Sequence, residues 1–344
     1  MFFIDKYRPN NIGTIFFHKE LFELLQNMSK DPAIPHIIFY GAHGTGKKTI
    51  INLFLEMLFD NTVHKIKSVN YNIIGSGNKS NPEEIKQSNY HIVIDPKNNN
   101  SDRYLIHDIV KEYSKIKPFN IYKTNRNFKV VLINSLDNLT YYAQTSLRRT
   151  MEIYNKNCRF IMWCHSLSKV IKPLQSRCIC IRVPSPTDTE LFKYALTISC
   201  KEKIKLSLEQ YREIVKNANG NIKNILWDLQ YYKYGYNGSN FDNKKYIDDI
   251  IKLITKTNEY NIEKNIENIE SIIYGSTITN IDGTEIMRNL IDSICESDVF
   301  SDNIKQLIIY ESAEIEYRMA KGRRQIIHFR NLITTILKIL KDNS

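Results

Sequence analysis

Long apolar runs are what this sequence most clearly lacks. No stretch of the 344 residues approaches the roughly 20 apolar positions that a membrane-spanning helix requires. The apolar start Met1-Phe2-Phe3-Ile4 runs at once into Asp5-Lys6, too short for the core of a secretory signal. Cysteine is sparse too. There are 6, with no Cys-x-x-Cys pair, which indicates neither a zinc site nor a disulfide framework. Cys178 and Cys180 are expected on opposite faces of a strand. These absences point to a soluble protein of a reducing, intracellular compartment with no membrane partner. Acidic residues are in deficit: 37 Asp and Glu against 48 Lys and Arg leave a formal net charge of +11. That balance fits a polyanionic partner such as nucleic acid, or a generally lysine-rich proteome. The apolar total, at 42%, is ordinary for a globular chain, and 344 residues suffice for about two or three domains.

Apolar runs at 36–40, 91–94, 130–133, 159–164 and 178–183 read as strands, the last stopped by Pro184 and Pro186. Residues 49–59 and 140–154 have helical spacing. The alternation predicts a parallel sheet covered on both faces. After Pro186 the β signals fade, and 189–200, 208–218 and 221–232 read as helices. Residues 234–243, with two glycines and several Asn, read as a linker. Beyond it, Ile262, Ile266, Ile269 and Ile273 mark a helix face, with Gly275 expected just past the helix end. Phe329, Leu332, Ile333, Ile336, Leu337 and Leu340 mark another.

Gly41-Ala-His-Gly-Thr-Gly46-Lys47 sits between a strand and a helix, the context a phosphate-binding loop requires. Its glycines let backbone N–H groups curl around a phosphate. The helix N-terminus adds positive potential, and Lys47 reaches the outer phosphates. Gly41, Gly44, Thr45, Gly46 and Lys47 are therefore predicted to hold a nucleotide, ATP or ADP. The next residue should carry a hydroxyl for Mg²⁺. Here it is Lys48, and Thr49, one place later, is rotated by about 100° around the helix. Nucleotide binding is expected to survive better than metal-assisted hydrolysis, with Mg²⁺ bound weakly or not at all. A metal-binding carboxylate should end a neighbouring strand. Ile92-Val-Ile-Asp95 and Val130-Val-Leu-Ile133, the latter followed by Asn134-Ser135, compete for that place, and pattern alone slightly favours Asp95.

Lys6-Tyr7-Arg8-Pro9, the loop Gly41–Lys47, Ser146-Leu-Arg-Arg-Thr-Met-Glu152 and Leu174-Gln-Ser-Arg-Cys178 occur in one order. Together they resemble a small subunit of replication factor C, the sliding-clamp loader of the AAA+ class. The Lys47-Lys48-Thr49 ending is most similar to the family's catalytically degenerate subunit. The resemblance covers about the first 230 residues strongly. It implies an α/β P-loop AAA+ domain with a parallel sheet (1–184), a small helical lid domain (185–236) and an all-α collar domain for oligomerisation (237–344). Ala313-Glu-Ile-Glu-Tyr-Arg318 is the part of the collar that matches best.

The resemblance also assigns the second strand. It makes 130–133 the Walker B strand, so Asn134 stands at the metal-binding Asp and Ser135 at the catalytic Glu. Asp95 then falls on the strand leading to a DNA-facing helix. Asp137 is expected about 10 Å from Asn134 along an extended chain, too far to replace it. His165 stands at the sensor-1 Asn. Lys223 stands at the sensor-2 Arg and can still pair with a phosphate, without the bidentate fork. Tyr7, Arg8 and Pro9 resemble the segment lining the adenine pocket. Lys48, Asn134, Ser135 and His165 together imply poor hydrolysis. Arg177, in Ser176-Arg177-Cys178, resembles the arginine that the family inserts into the neighbouring subunit's ATP site, where it stabilises charge on the transferring phosphoryl group.

Implied partners are the other subunits of a hetero-pentamer, the sliding clamp and primer–template DNA. Ser101 and Arg103, at the start of a helix running to about 116, and Arg148 are the candidate DNA contacts, and Arg149 is a candidate for the subunit interface. The implied location is a nucleus or a viral replication factory. Two other readings stay open: an active motor with atypical metal ligands, and a P-loop regulator in a checkpoint-type loader.

Overall fold

A computed structural model describes the chain except residues 60, 75–79, 97–100, 116–125, 127, 236–242, 256–261, 279–282, 298–299, 322–324 and 343–344. Two compact units emerge, Met1–Gly238 and Ser239–Ser344. No helix among the described residues is long and apolar enough to cross a membrane.

The first unit is built on β1 (His36–Tyr40), β2 (Lys67–Ile74), β3 (Ser80–Gln87), β4 (His91–Ile94), β5 (Lys129–Ile133), β6 (Cys158–Cys164) and β7 (Cys178–Arg182). They form one sheet in the order β2-β3-β4-β5-β6-β1-β7. From β4 to β7 every pairing is parallel, as the βα alternation predicts. Side chains alternate between two cores. Ile38, Val131 and Ile133 enter one cluster, packed with Leu105, Ile109 and Leu147. Ile37, Phe39, Val130 and Leu132 enter the other, with Leu25, Ile51 and Phe54. Burial of each such side chain contributes about 1.5–3 kcal/mol, and strands buried on both faces accordingly read as apolar runs.

The sequence reading missed β2 and β3, which extend the sheet as an antiparallel hairpin. Their sequences, KSVNYNII and SNPEEIKQ, show no apolar run, because only Ile85 among their described side chains is buried. Pro82 fits inside β3 because the ladder to β4 has only the pairs Lys86–Val93 and Gln87–Ile92, leaving that side of β3 unpaired at Pro82. A second correction concerns Cys178 and Cys180. Residues two apart on a strand share a face, and both pack against the first core.

Helices Asp188–Glu202, Leu208–Ala218 and Ile222–Lys233 follow the sheet. Capping boxes, Thr187 with Glu190 and Ser207 with Gln210, start the first two. Their core takes in Phe3 and Phe17 from the N-terminal segment. Lys6 and Lys233 each place Nζ 2.5 Å from Glu202, and the Tyr7 hydroxyl donates to the same carboxylate. These bonds, led by that from Lys233, hold the Glu202 carboxyl down at about 2.

In the second unit, helices Asn243–Thr255, Ile262–Ile278, Gly283–Glu296, Asp302–Lys321 and Gln325–Asp342 surround one core. Ile266, Ile269, Ile273, Phe329, Leu332, Ile333 and Ile336 are buried in it, on the faces expected from spacing. Gly275 does not end its helix, which runs on to Ile278. A lone glycine costs only about 1 kcal/mol in a helix interior, and packing of the isoleucine face outweighs it.

Candidate nucleotide site and an arginine corner

The loop after β1 depends on glycine at two places. A Cβ on Gly41 would lie 2.2 Å from the Val183 carbonyl oxygen, which follows β7. Gly44, at φ +71°, presses its bare face against Asn221, where a Cβ would lie 1.7 Å from Oδ1. The Ile222 N–H donates to the Gly44 carbonyl at 3.2 Å, fastening the loop to the helix that carries Lys223. Helix Lys47–Leu58 starts at Gly46 with its amide dipoles aimed into the loop. Thr45 is fully buried, and its carbonyl meets His18 Nε2 at 3.2 Å. Lys47 is buried as well. Its Nζ donates to the carbonyls of Gly41 (2.7 Å) and Ala42 (2.6 Å) and stands 3.4 Å from His165 Nδ1. Burial brings its ammonium down to about 8.

Lys48 is exposed on the turned-away side of that helix. Thr49 lines a cavity beside the loop instead of the loop itself. Tyr7, Arg8, Pro9, Gly44, Thr45, Gly46 and Lys223 also line this cavity. Phe22, Ile50 and Leu53 contribute apolar lining of the kind that suits a flat heterocycle.

At the ends of β4, β5 and β6 several polar groups satisfy one another. Asn134 is buried at 5% exposure. Its Nδ2 donates to Asp95 Oδ1, and its Oδ1 accepts the Trp163 Nε1–H at 2.7 Å. Asp95 and Asn134, read from sequence as competitors for one role, are therefore neighbours. Ser135 takes a left-handed conformation (φ +46°) and turns the chain into the short 3-10 helix Leu136–Asn138. That turn corrects the extended path expected for Asp137. Its Oδ2 accepts the His165 backbone N–H at 3.1 Å, and its Oδ1 is buried without a hydrogen-bond partner among the described residues. His165 stacks on His43 with ring centroids 3.4 Å apart and planes 16° apart. Burial first, then the charge of Lys47, pushes the His165 imidazole down to about 4, and the same causes lower His43. His43 is a contributor that the sequence reading passed over; it sits inside the loop motif, but nothing in the motif marks a stacking partner. No cluster of three metal-ligating side chains occurs among the described residues.

Arg177 lies elsewhere. β7 runs parallel to β1 with His36 opposite Cys178 and Tyr40 opposite Arg182. The loop leaves the far end of β1, whereas Arg177 precedes the near end of β7. At about 3.3 Å per residue the two are separated by roughly 20 Å, beyond an arginine's reach. Arg177 Nη1 donates to the Pro173 carbonyl at 2.8 Å, and Nη2 lies 2.6 Å from Glu152 Oε1. Arg148 Nε approaches the same oxygen at 3.5 Å. Glu152, which closes the motif Ser146–Glu152 and has no role legible from sequence, joins both arginines. Arg149 is exposed on the same helix, Tyr141–Ile153, which Thr140 caps through the Ala143 N–H. Ser101 and Arg103 open the helical segment Ser101–Tyr104, which continues through a π-helical stretch, Leu105–Val110, to Lys115. Arg103 is exposed; residue 116, the expected end, lies outside the described residues.

A family model described as DNA polymerase III, delta subunit, matches residues 17–187. The chain is 37% identical over 348 residues to the Acanthamoeba polyphaga mimivirus protein L478, named for a replication factor C small subunit, covering 100% of this chain and 92% of that one. It is 29% identical over 346 residues to replication factor C subunit 5 of Saccharomyces cerevisiae (97% and 98%). To human replication factor C subunit 3 it is 35% identical over 224 residues (65% and 63%). With a parallel P-loop sheet, helices following it in the chain and this likeness along its whole length, the chain belongs to the replication factor C small-subunit family of the AAA+ class.

Proposed function

We propose that this chain is a nucleotide-binding subunit of a replication factor C-like clamp loader that hydrolyses ATP poorly itself and donates Arg177 to a neighbour's ATP site. The base of ATP or ADP would enter the cavity beside Tyr7, Arg8 and Pro9. Its phosphates would meet the N–H groups of Gly44–Lys47, with Lys47 and Lys223 supplying positive charge. The observation that carries the reading is the commitment of Asn134. Both ends of its amide are engaged, by Asp95 and Trp163. With Lys48 exposed and Ser135 in place of a carboxylate, the donor set does not fit Mg²⁺. Arg177, intact at the opposite end of the strands, is out of reach of its own loop, which supports use by another subunit. Residues 185–236 act in this reading as the lid and 237–344 as the collar of a hetero-pentamer that places the sliding clamp on primer–template DNA. Arg103 and the backbone at Ser101 would contact DNA phosphates. Arg148, tied to Glu152, fits the arginine corner better than DNA.

The test titrates the isolated chain with labelled ATP, with and without Mg²⁺, and follows phosphate release, with Lys47→Ala as control. Binding without release is the expected result. A second reading, a motor with an unusual metal ligand, draws on the unpartnered Oδ1 of Asp137. Release that depends on Lys47 would favour it.

A further inference from the structure

Glu152 occupies an unfavourable place. It lies in the last turn of helix Tyr141–Ile153, where the helix dipole disfavours a negative charge. Two cations offset that. Arg148, one turn earlier, flanks its carboxylate, and Arg177 closes on it from the segment leading into β7. Arg177 is thus held at two points on different groups, the Pro173 carbonyl through Nη1 and Glu152 through Nη2. Two anchors fix the plane of a guanidinium, where one would leave it free to swing. The side chain remains 37% exposed, so the fixed group still faces outward.

We infer that Glu152 is the positioning residue for Arg177, setting the guanidinium in the orientation in which it meets phosphate in the neighbouring subunit's site. The inference rests on the assignment of Arg177 as a donated finger. Exposed ion pairs contribute little to stability, about 0–1 kcal/mol. Orientation is different, because a misplacement of about 1 Å can cost on the order of 100-fold in rate. Glu152 therefore acts on turnover far more than on folding.

The experiment uses the assembled loader with clamp and primer–template DNA, comparing Glu152→Gln, Glu152→Asp and Arg177→Ala by kcat, KM for ATP and melting temperature. Glu152→Gln should lower kcat by roughly tenfold with KM unchanged and melting moved by no more than about 3 °C, and Glu152→Asp should recover part of the loss. If Arg177→Ala lowers kcat while Glu152→Gln leaves it intact, the positioning role is wrong and the finger stands. A rise in kcat for Glu152→Gln would mean that Glu152 restrains Arg177, overturning the inference. So would a large drop in melting temperature accompanied by equal changes in kcat and KM. An unchanged kcat in Arg177→Ala removes both the finger and its positioner.

Discussion

At the loop end of the sheet, Asn134 and Lys47 turn inward and the polar side chains use one another up; at the other end of the strands, around Arg177, a charged group is held facing out. Asn134, Asp95 and Trp163 close into a hydrogen-bonded set, His43 stacks on His165, and Lys47 rests on two carbonyls of its own loop. Arg177 is braced by Pro173 and Glu152 but remains part-exposed. The same sheet positions both regions, so the difference lies in side-chain chemistry rather than in fold. A site that has lost its carboxylates can keep its backbone cradle, because the cradle is made by glycine geometry and a helix N-terminus, which no side chain at 134 or 135 touches.

The largest effect that could break this comparison is expected at Arg177. Arg177→Ala should lower hydrolysis at the neighbouring site of the assembled loader by about 1000-fold, the scale of an arginine finger, and leave nucleotide affinity of the isolated chain unchanged. Equal loss in both measurements would mean that the two regions are not separable. A smaller effect is expected at Asn134. Asn134→Asp, which restores the family's carboxylate, removes the donor to Asp95 and sets a buried carboxylate against the exposed one of Asp95. We expect a loss of about 2 kcal/mol in urea unfolding and no phosphate release. Release that depends on Lys47 would show the loop end to be one side chain from activity.

How far these regions were legible in sequence follows from what each depends on. The loop, the five parallel strands and the helix faces rest on local rules of glycine placement and periodicity, which the sequence carries directly. The β2–β3 hairpin was not legible because an exposed edge ribbon needs no apolar alternation, and residues 67–74 and 80–87 have almost none. Asn134 could be recognised as a departure from the family's pattern, but its partners Asp95 and Trp163 come from two other strands and no spacing links them. The path to Asp137 was not legible for a similar reason: the left-handed turn at Ser135, a residue with a Cβ, is not what its side chain predicts. Glu152 stood inside a motif, yet its link to Arg177 exists only because helix Tyr141–Ile153 ends beside the start of β7.

The smallest effect concerns Lys47, and it separates the loop end from the arginine corner by pH. Burial holds its ammonium near 8, whereas phosphate oxygens beside Nζ favour the charged form and raise that value. Below pH 8 the lysine is charged with or without nucleotide, so affinity should be flat. Above pH 8 the unliganded loop loses the proton that the liganded one retains, so affinity should fall by up to tenfold per pH unit. His165, near 4, is neutral over the whole range and adds nothing to it. Calorimetric titration of ADP between pH 7 and 9.5 reads the slope, and buffers of differing ionisation enthalpy count the proton taken up. Lys47→Arg supplies the control, since a guanidinium does not titrate there and its weaker binding should be level with pH. A flat profile for the unaltered chain would mean that Lys47 leaves the Gly41 and Ala42 carbonyls for solvent before nucleotide arrives, and the inward-turned description of the loop end would fail at its central residue.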